Sequence, residues 1–131
     1  MEINHQGVLA DHDKEWSLLS FNVTKNGVVN DLLFIEKIVL FMELVGKVKP
    51  KYVLFDKSEV DFEITPRLFK FAEHNVISEI MGYGVKLIFF CVTPNRYQAY
   101  KADTNKPPFI VPCLHYKEVL DAIAANRALV R

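Results

Sequence analysis

The chain has 131 residues, half of them hydrophobic, and its sixteen basic side chains balance sixteen acidic ones. That length suits one domain, 1–131, around one core, and that apolar content excludes a disordered chain. A net charge of zero argues against a nucleic-acid surface, which runs on excess Lys and Arg. The longest apolar runs, 38–42 and 87–92, are far too short to span a bilayer.

Met1-Glu2-Ile3-Asn4-His5-Gln6 carries an acid and no apolar stretch, unlike a signal peptide, so a cytoplasmic protein is expected. Two short strands are predicted next, near 8–10 and over 17–23, with the polar Asp11-His12-Asp13-Lys14 as the hairpin loop between them. Lys25-Asn26-Gly27 reads as a turn.

A long helix follows over 31–45, closed by Gly46. Phe34, Ile38, Phe41, Met42 and Val45 recur at helical spacing and form its core stripe. Leu33, Leu40 and Leu44 sit nearly opposite, beside the charged stripe of Glu36, Glu43 and Lys47. A helix apolar on most of its circumference needs a second covering surface. A homodimer through Leu33, Leu40 and Leu44 is expected, or cover by the N-terminal segment.

Lys49-Pro50 breaks the chain, and 52–55 is an unbroken apolar strand of the kind buried on both sheet faces. Thr65 as N-cap and Pro66 at the first helical position open the second helix. Phe69, Ala72, Val76 and Ile80 form its core face, and Arg67, Lys70, His74 and Ser78 its solvent face. Phe71 falls on that solvent face, and the helix stops near Gly82. A buried strand over 85–92 follows, then Thr93-Pro94 and a short helix over 95–101. After a polar loop over 102–108, the last strand, 109–114, contains Pro112 and is therefore placed at a sheet edge. A helix over 116–127 closes the chain, with Val119, Leu120 and Ile123 inward. Strands alternating with helices predict an α/β domain: a mostly parallel mixed sheet of about five strands with helices packed on it.

No residue set reads as a catalytic centre, and neither cofactor nor metal is expected. Asp11-His12-Asp13 are adjacent in a loop, where ligands rarely converge on one ion. Ser58 has no predictable His partner. Gly82-Tyr83-Gly84 leads into a strand rather than a helix, so it reads as a turn and not a dinucleotide loop. Asp56 ends a central strand, a favoured place for functional groups in such sheets, and is expected to hydrogen-bond the loop over 57–59. Cys91 and Cys113 lie in apolar strands without CxxC spacing, and buried reduced thiols are expected.

Three motifs carry a family resemblance. Lys49-Pro50-Lys51-Tyr52-Val53-Leu54-Phe55-Asp56 is a strand ending on a carboxylate. Phe62-Glu63-Ile64-Thr65-Pro66-Arg67-Leu68-Phe69-Lys70-Phe71 is a helix entry. Gly84-Val85-Lys86-Leu87-Ile88-Phe89 is a further strand. With Trp16 at the head of the second strand, they resemble the STAS domain, and more narrowly its SpoIIAA-like group, which is related to Sec14-type lipid-binding domains. The match covers most of the chain from Trp16 onward. It implies a non-enzymatic, bacterial regulatory module that binds a protein partner. The expected contact residues are Asp56, Lys57, Ser58, Thr65, Arg67, Lys70, Phe71 and His74. In anti-sigma-factor antagonists of the wider family the corresponding helix entry carries a phosphorylated serine. Here Pro66 takes that position, so Thr65 is expected to act as a helix cap and not as a phosphosite. The Sec14 kinship implies an alternative, a domain that binds a lipid or small apolar ligand.

Overall fold

The structure, a computed structural model, describes residues 2–5, 7–25, 30–60, 65–102 and 109–129. For 2–5, 66, 69, 72, 73 and 100 only the backbone is described. The expected turn at Asn26-Gly27, the loop over 103–108 and the side chains of Phe69 and Ala72 lie outside that description.

The chain is α/β, as expected. Its strands are β1 (Glu2–His5), β2 (Val8–Asp13), β3 (Leu18–Val23), β4 (Tyr52–Asp56), β5 (Leu87–Cys91) and β6 (Ile110–Cys113). They form one six-stranded sheet in sequence order. The first three pair antiparallel, and β3 to β6 pair parallel. The helices are α1 (Asp31–Val48), α2 (Pro66–Gly82), α3 (Pro94–Ala102) and α4 (Tyr116–Leu129). Pro112 lies in β6, an edge strand, where its missing N–H costs the ladder least.

Three boundaries differ from the sequence reading. The sheet gains β1, so it has six strands rather than about five. Asp11, His12 and Asp13 belong to β2, each paired with a residue of β3. The turn falls later, where Asp13 Oδ1 accepts from Trp16 N at 3.2 Å and Ser17 takes a positive φ of 51°. Helix α1 runs through Gly46 and ends at Lys49, a left-handed C-cap whose N–H reaches Val45 O. The reason for the glycine is packing: a Cβ on Gly46 would lie 3.1 Å from the Tyr83 ring.

Alternation along each strand divides the core between the sheet faces. One face carries Val8, Ala10, Leu19, Phe21, Val23, Val53, Phe55 and Ile88, covered by Phe34, Phe41 and Val45 of α1 and Val76 and Ile80 of α2. Four rings order its centre. Phe21 stacks on Phe55 at 5.5 Å, Phe55 on Phe90 at 5.8 Å, and Phe41 meets both Phe21 and Phe55 edge-on at 5.2 Å. The other face carries Leu18, Tyr52, Leu54, Phe89, Cys91 and Cys113 under Val119 and Ile123 of α4. Tyr52 Oη donates to Asn126 Oδ1 at 2.8 Å. Arg127 lies over the Trp16 ring at 5.1 Å and donates to Glu15 O at 2.7 Å, tying the end of α4 to the β2–β3 turn.

Residues of β2 share one buried cluster with α1. This corrects the expected dimer interface. Leu44 is buried in the same cluster as Val8 and Ala10, Leu40 packs against that cluster, and Leu33 is half-buried. The antiparallel strands before β3 widen the sheet, and Leu44 and Leu40 join a core that includes β2, so these two are not a free surface.

Candidate interaction surface

Helices α1 and α2 lie side by side and point the same way, because each carries the chain back between two parallel strands. Their starts differ chemically. Asn30 caps α1 through Oδ1, which accepts from Leu33 N at 2.9 Å. Thr65 stands at the N-cap position of α2 but makes no side-chain cap bond. Its hydroxyl instead donates to Asp31 Oδ2 at 3.5 Å, across to the start of α1. The expected Thr65 cap is thus corrected, since its hydroxyl is turned toward the neighbouring helix.

Between the helices runs an apolar groove of about 290 Å³, walled by Ile35, Ile38, Val39 and Met42 on α1 and by Leu68 and Phe71 on α2. Phe71 is 62% exposed, Leu32 74%, Val39 43% and Ile35 42%. Of these, Phe71, Val39 and Ile35 line the groove, and large apolar side chains wet in one place make a patch of the kind that marks contact sites. The backbone beneath is secure, as Phe71 O accepts from Asn75 Nδ2 at 2.9 Å. Exposed charges flank the groove on both sides: Glu36, Glu43 and Lys47 on α1, and Arg67, Lys70, His74 and Glu79 on α2.

Of the residues expected to contact a partner, Arg67, Lys70, Phe71 and His74 share this exposed face, and Thr65 lies at its edge. The other three do not join it. Lys57 is 4% exposed, with Nζ 5.6 Å over the Phe90 ring, which corrects its placement on the surface. Asp56 is half-buried at the end of β4 and accepts from Ser58 N at 2.9 Å and from Ser58 Oγ at 2.6 Å. That carboxylate holds its own loop, as expected. Residues 61–64 of the expected loop patch lie outside the described residues.

Sequence reasoning missed a second feature. The register places Asn22, Asp56, Cys91 and Cys113 side by side across β3 to β6, at the ends of the parallel strands and on the α4 face. Both cysteines are buried free thiols, and Cys91 Sγ lies 3.6 Å from Leu114 O. A hydrogen bond from Cys113 lowers the Cys91 pKa, and the same bond, with burial, pushes Cys113 up. Among the described residues no group of three or more His, Cys, Asp or Glu is arranged to hold a metal ion. None of the described helices is long and apolar enough to cross a membrane. Only strand register brings the two cysteines together, so nothing in their spacing could have signalled the pair.

Compared with family models, curated proteins and solved structures, the chain matches none.

Proposed function

We propose that this chain is a non-enzymatic protein-interaction module, a bacterial regulator of the STAS, SpoIIAA-like kind that its motifs resemble, working through the α1–α2 face. One observation carries this reading: Phe71 stands 62% exposed at the rim of an apolar groove, among Arg67, Lys70 and His74. An aromatic ring beside an arginine, over an apolar cleft, is the composition of an interface hot spot. The other reading, a site for a lipid or small apolar ligand, draws support from the same groove. Its volume of about 290 Å³ falls at the small end for ligand pockets, which bury most of their ligand. An open groove rimmed by wet apolar side chains suits a protein surface better.

The test is a photo-crosslinking residue at position 71 in the native cells. A crosslinked protein that disappears with Arg67→Glu is expected. Absence of any protein crosslink, with an apolar molecule retained in native mass spectrometry, overturns the reading in favour of the ligand site.

A further inference from the structure

We propose that Cys91 and Cys113 form an oxidisable dithiol, which hydrogen peroxide converts into an intramolecular disulfide across β5 and β6. The pair lies on the α4 side of the sheet, opposite the face that α1 and α2 cover.

Strand register brings the two sulfurs together. Cys91 and Cys113 are Cα partners in the parallel pair of β5 and β6. Neighbouring strands run about 4.8 Å apart, inside the Cα span of about 4.4–6.8 Å that a disulfide bridges. Both side chains are buried in one cluster with Val119 and Ile123 of α4, so they leave the sheet on the same face. Cys91 Sγ lies 3.6 Å from Leu114 O, the carbonyl just past Cys113, which aims that thiol at the end of β6. Both are free thiols. β6 is the edge strand, the freer of the two to shift as the sulfurs close.

The two thiols are not equivalent. The hydrogen bond from Cys113 lowers the Cys91 pKa, and the same bond, then burial, pushes Cys113 up. Cys91 therefore ionises first and is the nucleophile. Its sulfur attacks one peroxide oxygen. The O–O bond breaks, an S–O bond forms, and the departing hydroxide takes up the proton that Cys91 gave up and leaves as water. Oxygen on Cys91 removes the thiolate that held Cys113 protonated. The Cys113 sulfur then attacks the sulfenic sulfur. The S–O bond breaks, the S–S bond forms, and the second hydroxide leaves as water with the Cys113 proton. In all the thiols lose two electrons and two protons, and the peroxide is reduced to two waters.

Burial decides the oxidant and the product. Cys91 is 5% exposed and Cys113 1%. A small uncharged peroxide can enter such a site, whereas a bulky disulfide cannot reach the sulfur. The sulfenic acid then meets Cys113 and no thiol from solution, so the bond closes within one chain.

The full chain tests this. Folded, reduced protein is treated with excess hydrogen peroxide, then alkylated in denaturant, and intact mass and peptide mapping read the product. Wild type is expected to lose two hydrogens, resist alkylation at both cysteines and yield a peptide linking Cys91 to Cys113. Dithiothreitol should return both thiols. Cys113→Ser should stop at a sulfenic acid on Cys91 that dimedone traps, and wild type should trap at least about tenfold less. Cys91→Ser should leave Cys113 unreacted at the same dose. Circular dichroism checks that both variants fold, and the wild-type map decides the proposal even where one does not. Two alkylatable thiols left in wild type after glutathione alongside is fully oxidised would overturn it. So would sulfinic acid without a link, a link only between two chains, or full reaction of Cys113 in Cys91→Ser.

Discussion

The two ends of the α1–α2 pair are finished differently. Toward their C-terminal ends the helices are closed. Tyr83 packs against Gly46 so closely that a Cβ there would sit 3.1 Å from the ring. Its hydroxyl donates to Glu79 Oε1 at 3.3 Å, and Val45 and Ile80 lie buried beneath. Ahead of that closure the helices leave a groove that reaches as far as Glu79, and the aromatic residue at its rim, Phe71, stands out of it at 62% exposure. One helix pair therefore holds one ring that fills its seam and one that does not. The difference teaches that exposure here follows the direction of a side chain.

Four substitutions probe that contrast against the rest of the fold, and equilibrium urea unfolding measures each. Phe55→Ala should have the largest effect. The ring is 4% exposed and touches Phe21, Phe41 and Phe90, so its loss should cost about 3–5 kcal/mol. Gly46→Val should come next. A branched side chain against the Tyr83 ring overpacks the closed end and should cost about 1–3 kcal/mol; no loss would mean that the ring moves aside freely and that the end is not closed. Asn30→Ala removes the 2.9 Å cap on Leu33 N and should cost about 1 kcal/mol. Thr65→Ala should cost only a few tenths of a kcal/mol, because its hydroxyl caps nothing in α2 and surface changes usually stay within about 0.5 kcal/mol. An equal loss in the last two would show that Thr65 caps α2 after all.

Much of the fold was legible because periodicity reports burial. The stripe of Phe34, Phe41 and Val45, the apolar strand β4 and the edge position of Pro112 all follow from local pattern. So does the outward placement of Phe71, since a helical wheel alone sets it among Arg67, Lys70 and His74. What escaped depends on neighbours distant in sequence. Leu44 reads as a surface residue until β2 joins its buried cluster. Asp11 to Asp13 read as a loop because they are polar, yet backbone pairing with β3 ignores side-chain polarity. Lys57 reads as exposed until its stem folds over Phe90, where a cation can lie on an aromatic face. Cys91 and Cys113 become neighbours only through the register of β5 and β6.

The central claim is that Phe71 serves contact and not folding. Equilibrium unfolding of Phe71→Ala, at a protein concentration low enough for the wild type to be monomeric, tests it most directly. A free energy of unfolding within about 0.5 kcal/mol of wild type is the predicted result, and a loss of about 3 kcal/mol or more would make Phe71 a core residue and contradict the account.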